Sequence, residues 1–316
     1  MILRAALCAL ALLGAAPIAA DDGLLQSHRE LQQRDQQLLD VGWRLVTANA
    51  PYCTNAEPAI GLLLQDIRGY GKRGDELRGA LGLTGDIAVQ AVAAGSPAAT
   101  AGLAANEEIL QIGEDTREMA QPPDDAPAWQ RLTDLHDFID RSLNEDGEVL
   151  VSRHSGRTAI EGVPACPSRF EVLDSGSKAM AEGSRVIFGK DFAGFAYAED
   201  EFAAAVAHEL AHNLLAHRAW LAEHGRKRGN IRLTEREADR LMPWLLANAG
   251  YDPHAATRFM ERWGPAHGGW IFRKRTHDGW DERAEFIDAE VALIEQLWDD
   301  EGRADWAMHF KREAES

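Results

Sequence analysis

Two cysteines, Cys53 and Cys166, flank a stretch of sequence whose pattern differs from the pattern on either side of it. Before the first cysteine, residues 24–46 carry leucine and valine at helical spacing, which predicts an amphipathic helix. Between the cysteines, short β-like runs are separated by Gly, Pro and Asp, and one helical segment lies near 129–143. The predicted strands are 61–65, 87–92, 109–112 and 148–152, and a loop is predicted at 121–127.

After Pro167 the pattern becomes mostly helical again, with one predicted strand at 185–189. The predicted helices lie near 200–224, 235–249, 253–263 and 282–298. This order predicts an α+β protein in which a β-rich domain is inserted into a mainly helical domain with a small sheet. We place the helical domain at 21–56 and 153–316, and the inserted domain at 57–152.

Residues 1–20 have the form of a secretory signal, with Arg4, an apolar run over 5–13 and small residues before a predicted cleavage after Ala20. The run is too short to span a membrane, and no later stretch reaches eighteen apolar residues. We therefore expect an exported protein, periplasmic or secreted, with no transmembrane segment in the mature chain. In such an oxidising compartment Cys53 and Cys166 favour a disulfide over two buried thiols.

The formal net charge of −18 bears on the choice of partners. An acidic surface repels nucleic acid and anionic membranes, so neither is expected as a partner. A chain of 316 residues with 45% hydrophobic residues is long enough and apolar enough for two cores.

His208, Glu209 and His212 form a His-Glu-x-x-His motif in an alanine-rich helical run. Positions four apart on a helix share a face, so the two imidazoles can bind one zinc ion per chain. Glu209 follows the first ligand and is placed to take a proton from water that zinc has acidified. The alternative is a pair of surface histidines, and a third ligand is what decides against it.

Two residues compete with Glu235 for the place of third ligand. His217 lies five residues after His212, about 140° around a straight helix, and we interpret it as a buried structural histidine. We expect Glu237 to form a capping box with Thr234 at a helix start, which occupies its carboxylate. Glu235 is then left free, at the first helical position, to face the metal.

Asp239 lies four residues after Glu235, on the same predicted helix face. There it can accept a hydrogen bond from the far nitrogen of a ligand histidine and fix its tautomer. Ordinary acidic residues near a helix start are the alternative explanation for both carboxylates.

The two motifs, separated by about twenty residues, resemble those of the HtpX-type, CAAX-prenyl-protease-like gluzincin metallopeptidases. The run Ala-Asn-Ala-Gly-Tyr-Asp-Pro from Ala247 to Pro253 is also similar, and the resemblance covers about 163–293. It implies a zinc site of His208, His212 and Glu235, with Glu209 as base and Asp239 in support. It further implies a soluble, exported member of the family that acts on protein or peptide substrates.

The family often has Thr-His-Pro before a Glu-Arg pair, and here Thr276-His277-Asp278 precedes Glu282-Arg283 without the proline. The resemblance makes His277 a gate over the zinc ion or a stabiliser of the tetrahedral intermediate. An exposed loop histidine is the alternative.

Within the inserted segment, the turn Ser96-Pro97-Ala98-Ala99 and the strand after it resemble a bacterial PDZ domain over about 57–152. Ile60, Gly61 and Leu62 would then be the loop that receives a peptide C-terminus, with the peptide added as a strand. A PDZ-like spacer or lid is the alternative.

These patterns predict a zinc endopeptidase of the cell envelope whose PDZ domain recognises or positions its substrate. The alternative is a PDZ-based binding or chaperone-like protein with latent or weak proteolysis. We also expect the strand at 185–189 to pair with an extended substrate.

Overall fold

The computed structural model describes residues 22–114, 127, 129–267 and 279–314. The predicted signal, most of the loop at 121–127 and His277 lie outside these residues. The described helices are α1 (Asp22–Asn49), α2 (Gly74–Leu81), α3 (Pro97–Thr100), α4 (Gln130–Asp146), α5 (Glu199–Leu214), α6 (His217–His224), α7 (Arg228–Asn248), α8 (Ala255–His267), α9 (Trp280–Glu301) and α10 (Trp306–His309). The described strands are β1 (Glu57–Ala59), β2 (Leu62–Asp66), β3 (Ile87–Val92), β4 (Gln111–Ile112), β5 (Glu148–Arg153), β6 (Gly156–Glu161), β7 (Val163–Ala165), β8 (Arg169–Leu173), β9 (Ala179–Ala181) and β10 (Arg185–Gly189).

The strands form four small sheets, and the fold is of the α+β class. Antiparallel pairs join β1 to β7 and β2 to β3, and β4, β5 and β6 form an antiparallel meander. The fourth sheet has the order β8-β10-β9, with β10 parallel to β8 and antiparallel to β9. Because β6 extends its sheet to Glu161, the β-rich segment continues beyond residue 152, where we placed its end.

Two large apolar cores follow from this order of elements. The first combines α1 with elements that come after β7: Leu38, Val41 and Leu45 pack with side chains of β8, β10, α5, α7, α8 and α9. The second lies within the β-rich segment, where Leu135, Ile139 and Leu143 of α4 cover strands β2 to β6. Helix α1 belongs to the first core, and two smaller apolar clusters join it to the β-rich segment. One cluster places Leu39 against β2 and β3, and the other places Leu24 against Ile67 and Leu77.

Helix α1 meets the β-rich segment through polar side chains as well. Gln32 and Gln36, one helical turn apart, donate to the carbonyls of Gln90 and Val92 in β3. Asp40, a further turn along, accepts from the backbone N–H of Ala94 at 2.7 Å. A stripe of polar residues at intervals of four thus holds the β2-β3 sheet against one face of α1.

A disulfide joins Cys53 to Cys166, as the sequence favoured, with the two Cα atoms 5.7 Å apart. Cys166 is buried, and its backbone N–H donates to the carbonyl of Val46 in α1. The bond closes a loop across 113 positions of sequence and fixes the place where the chain leaves the β-rich segment.

The helices around the motif differ from the prediction in two places. The helix predicted at 200–224 is broken, because Ala216 adopts a left-handed conformation, with φ 53°, between α5 and α6. Helix α7 begins at Arg228, so Thr234 and Glu237 lie inside it. The predicted capping box is therefore wrong, and Thr234 instead donates to the carbonyl of Ile231.

Two further findings concern the surface of the fold. Strand β10, at 185–189, is the central strand of its sheet and pairs on both sides, so the predicted pairing of this strand with a substrate is wrong. Within the described part of the chain, no helix has the length and apolar character needed to cross a membrane.

Candidate metal centre

Helix α5 carries the His-Glu-x-x-His motif on a helix rich in alanine. Small side chains let neighbouring helices approach closely, and α7 packs directly against α5. The alanines of α5 that are fully excluded from solvent are Ala203, Ala204, Ala207 and Ala211. This close packing brings the side chains of α7 within reach of the motif.

Three side chains converge between the two helices. Nε2 of His208 lies 3.3 Å from Nε2 of His212, and these nitrogens lie 3.5 and 3.6 Å from the carboxylate oxygens of Glu235. The side chains of the three residues are 12%, 14% and 19% exposed, so the cluster is reached from solvent at one side. The structure thus brings together the three residues that the sequence predicted as ligands, a group that could hold a metal ion.

The spacing of these atoms fits zinc. Two imidazoles and a carboxylate form a donor set found in catalytic zinc sites. Bonds of about 2.0–2.1 Å at tetrahedral angles place ligand atoms about 3.3–3.4 Å apart. The observed separations of 3.3, 3.5 and 3.6 Å agree with that value. Three lone-pair atoms this close repel one another unless a proton or a metal ion lies among them.

The pKa values of the two histidines shift in opposite directions. Burial alone lowers the pKa of His208, but the carboxylates of Asp239 and Glu235 outweigh it and raise the pKa to about 10. Burial lowers the pKa of His212 to about 3, despite the nearby Glu235. The two imidazoles therefore differ in their tendency to carry a proton, because only His208 has a second carboxylate, Asp239, beside it.

Asp239 supports the first histidine from the side away from the cluster. Its carboxylate is fully buried and lies 3.1 Å from Nδ1 of His208. Arg283, in the first turn of α9, donates to both carboxylate oxygens. Burial would raise the pKa of Asp239, but Arg283 and His208 hold it below the usual value, so Asp239 is a carboxylate. No pattern in the sequence indicates this role of Arg283.

His217 supports His212, the second histidine of the motif. This contact was not predicted from the sequence. Its Nδ1 lies 2.9 Å from Nδ1 of His212, and its Nε2 lies 3.0 Å from the carboxylate of Glu237. The turn at Ala216 ends α5 and directs the chain back, so the separation of 140° expected for a straight helix does not apply. His217 is 1% exposed, which agrees with its interpretation as a buried structural histidine.

Glu237 is held by a distant segment rather than by the start of its own helix. The backbone N–H groups of Glu313 and Ala314 donate to one carboxylate oxygen, at 2.5 and 2.9 Å. The side chain of Arg312 donates to the other oxygen at 3.2 Å. Burial opposes ionisation, but the bonds from His217, Ala314 and Arg312 lower the pKa of Glu237 to about 2.

Glu209 follows His208 on α5, and its side chain is partly buried. Burial raises the pKa of Glu209 to about 7, and the negative charge of Glu235 acts in the same direction. A carboxylate with a pKa near neutrality is suited to accept and return a proton.

Asn213, the residue after His212, fixes the fourth sheet beside the cluster. Its side-chain oxygen accepts from the backbone N–H of Gly183 at 2.8 Å, and its amide donates to the carbonyl of Arg185 at 3.0 Å. These bonds hold the turn between β9 and β10 against the end of α5 that carries His212.

The loop predicted to bind a peptide C-terminus lies at the junction of the two cores. Ile60 and Gly61 connect β1 to β2, and Gly61 has the positive φ of 68° that glycine adopts readily. The cleft beside the loop has a volume of about 170 Å³, and its walls include Trp43 of α1 and Phe170 of β8. Nε2 of His136 in α4 accepts from the backbone N–H of Leu64 at 3.4 Å, so one donor of β2 already has a partner.

Comparisons with known protein families and with curated proteins find no match for this chain. The geometry of the cluster and the motifs of the sequence therefore carry the functional argument. The predicted gate His277 lies outside the described residues.

Proposed function

We propose that this protein is a zinc-dependent endopeptidase of the HtpX-like gluzincin type, exported to the cell envelope. The observation that carries the proposal is the convergence of His208, His212 and Glu235 at zinc-ligand spacing, with Glu209 beside them on α5. The disulfide between Cys53 and Cys166 supports the oxidising compartment.

His208, His212 and Glu235 would hold the zinc ion. When bound, zinc supplies Lewis-acid chemistry, which polarises the scissile carbonyl and acidifies water. Asp239 and His217 orient the two ligand histidines through their Nδ1 atoms.

Glu209 is the general base in this proposal. It takes a proton from the water that attacks the scissile carbonyl and then passes that proton to the leaving amine. Burial raises the pKa of Glu209, which favours acceptance of the proton in the first step.

Strand β9 offers the substrate a backbone edge. Strand β9 is one of the two outer strands of its sheet among the described residues, and its exposed residue Met180 lies between Ala179 and Ala181. An extended peptide can add to such an edge through main-chain hydrogen bonds. The bonds of Asn213 to Gly183 and Arg185 place this sheet beside the motif helix.

The β-rich segment completes the proposal as a PDZ-like module that positions substrate. The alternative is a binding or chaperone-like protein with weak proteolysis. The residues that support both ligand histidines favour the peptidase as the main activity.

The test compares three proteins: the wild type, Glu209→Gln, and Glu223→Gln, which makes the same change at an exposed site on α6. Zinc content and cleavage of an unfolded protein such as casein are measured for each. We expect about one zinc ion per chain in all three. We also expect Glu209→Gln to cleave at least ~10²-fold more slowly, with Glu223→Gln unchanged.

Three outcomes would overturn the proposal. A wild type that binds no zinc removes the ligand assignment, and a Glu209→Gln variant that cleaves at the wild-type rate removes the mechanism. If all three bind zinc and none cleaves, the alternative of a binding protein takes its place.

A further inference from the structure

Each candidate ligand histidine directs Nε2 into the cluster and Nδ1 toward a second residue, and that second residue differs between the two histidines. Nε2 of His208 and Nε2 of His212 face the cluster with Glu235. Nδ1 of His208 faces a carboxylate, that of Asp239, whereas Nδ1 of His212 faces another imidazole, that of His217. The second histidine is therefore supported through an intermediate residue, and that residue has a carboxylate of its own behind it.

The protons of this chain of contacts can be assigned from the partners. Glu237 accepts hydrogen bonds from two backbone N–H groups and from Arg312, so the proton between it and His217 is assigned to Nε2 of His217. A neutral His217 then presents a lone pair on Nδ1, which accepts the Nδ1 proton of His212. Nε2 of His212 is left with its lone pair directed into the cluster. His212 is then protonated on Nδ1 and unprotonated on Nε2, which is the tautomer that a metal ligand needs.

His217 does not itself reach the cluster. Its Nδ1 is engaged by His212 and its Nε2 by Glu237, so neither nitrogen is available to a metal ion. The ring planes of His212 and His217 are inclined by 75°, with centroids 4.9 Å apart, so the contact is made through the nitrogens rather than by stacking. The ring is also almost completely buried, which leaves the two hydrogen bonds as its polar contacts with the surroundings.

The far end of the chain of contacts is held from outside the two motif helices. The segment 312–314 closes on Glu237 with two backbone N–H groups and one guanidinium. The same segment is held to α7 by Arg236 and Arg240, which pair with the carboxylate of Glu313 at 3.0 and 2.9 Å. Glu237 therefore has its position and its negative charge fixed by a part of the chain that follows α10.

We propose that His217 is a positioning residue for zinc: it fixes the tautomer and ring orientation of His212, and Glu237, clamped by segment 312–314, holds His217 in turn. This inference rests on the proposed zinc site. It assigns to His217 and to segment 312–314 a part in metal affinity that the motif alone does not contain.

The test uses two substitutions, each of which replaces the hydrogen-bonding function of only one ring nitrogen of His217. In His217→Asn the amide oxygen takes the place of Nδ1, so the acceptor for His212 is kept and the donor to Glu237 is lost. In His217→Gln the amide nitrogen takes the place of Nε2, so the donor to Glu237 is kept and the acceptor for His212 is lost. His254→Gln is the control, since His254 lies on the surface and pairs with Glu295.

The measurements are the zinc dissociation constant, the visible spectrum of the protein loaded with Co²⁺, and the thermal midpoint of the metal-free protein. We expect His217→Gln to weaken zinc binding about 10–100-fold, as loss of a residue behind a metal ligand does. His217→Asn should remain much closer to the wild type in affinity and in Co²⁺ spectrum. A residue that serves packing alone would show no such difference, because both amides leave space in the same buried site.

The outcomes separate this inference from the proposed function. If the wild type binds zinc and His217→Gln binds it as tightly as His254→Gln does, the positioning role is overturned and the zinc site remains. Equal weakening by Asn and Gln, in step with equal losses of the metal-free thermal midpoint, also overturns it in favour of packing. If the wild type binds no zinc, the proposed function fails and the inference fails with it.

Discussion

Arg283 donates to both carboxylate oxygens of Asp239, at 2.5 and 2.6 Å, and so connects the first turn of α9 to the candidate metal centre. Asp239 is fully buried and lies 3.1 Å from Nδ1 of His208. A bidentate pair of this kind fixes the plane of the carboxylate as well as its charge. The orientation of His208 therefore depends on a helix that contributes no ligand.

Replacement of Arg283 tests this dependence. Arg283→Met leaves Asp239 buried without its cation, so we expect a loss of about 3–5 kcal/mol in the free energy of unfolding. We expect zinc affinity to fall about 10–100-fold. Arg283→Lys restores the charge without the two parallel bonds and should recover part of each loss. Urea denaturation and zinc titration measure the two effects. Arg303→Met, at an exposed arginine, is the control, and equal results for it and Arg283→Met would contradict the prediction.

The carboxylate of Glu237 can be tested without a change of size. In Glu237→Gln, one of the two carboxylate oxygens becomes an NH₂ group, which faces a donor in either orientation of the amide. In one orientation that donor is Nε2–H of His217, and in the other it is the backbone N–H groups of Glu313 and Ala314. We expect weaker zinc binding, with part of the effect transmitted through His217. Glu223→Gln, the same change at an exposed site on α6, is the control. A zinc dissociation constant that is the same in Glu237→Gln and Glu223→Gln would count against the role of Glu237.

The disulfide should contribute strongly to stability, because it closes a long loop in the unfolded chain. Replacing Cys53 and Cys166 together with alanine is expected to lower the free energy of unfolding by about 2–5 kcal/mol. The check is urea denaturation with and without dithiothreitol. Reductant should shift the midpoint of the wild type to that of the double variant and leave the double variant unchanged. A wild type that is insensitive to reductant after full reduction of the bond would show that the loop contributes little.

The titration of Asp35, which lies outside the candidate metal centre, should make the stability of the protein depend on pH. Its carboxyl group accepts from the side chain of Gln90 at 2.7 Å and from the backbone N–H of Val172 at 2.8 Å. Burial raises the pKa of Asp35 to about 7, although both hydrogen bonds act to lower it. Oε1 of Gln90 is buried without a hydrogen-bond partner, so rotation of that amide provides an acceptor for a protonated Asp35.

The sign follows from the raised pKa. Below pH 3.8 the group is protonated in both states, and between 3.8 and about 7 the folded state keeps a proton that the unfolded state has lost. Stability from this group is therefore present at low pH and is lost as the pH rises to about 7. Asp35→Asn removes the titration, so its stability relative to the wild type should increase from pH 5 to pH 8, by up to a few kcal/mol. Urea midpoints at the two pH values measure the change, and parallel midpoints would refute it.

Local pattern predicted the elements whose own residues favour them. Strands β3 (Ile87–Val92) and β10 (Arg185–Gly189) have the predicted bounds, because β-branched or aromatic residues make up at least half of each strand and turn residues flank them. Strand β9 is only Ala-Met-Ala, and it exists through pairing with β10, which the local sequence does not encode. Helix α7 starts at Arg228 after Lys227, which makes no side-chain cap, so the capping rule pointed instead to Thr234.

The candidate site divides in the same way. His208, His212 and Glu235 could be predicted from spacing, since residues four apart share a helix face and the second motif follows closely. The contact of His217 with His212 could not, because it depends on a left-handed turn at Ala216, and alanine gives no signal for that conformation. The bonds from Arg283 and from segment 312–314 depend on tertiary packing alone.

Helix α1 is a single rod of 28 residues, about 42 Å long at 1.5 Å per residue. Its apolar side chains Leu38, Val41 and Leu45 pack among the helices around the candidate metal centre. Gln32 and Gln36 donate hydrogen bonds to β3. Because α1 contacts both the helices of the first core and strand β3, it cannot move relative to one of them without losing contacts or moving the other. Motion of the β2-β3 sheet is therefore coupled through α1 to α5 and α7, the helices that carry His208, His212 and Glu235.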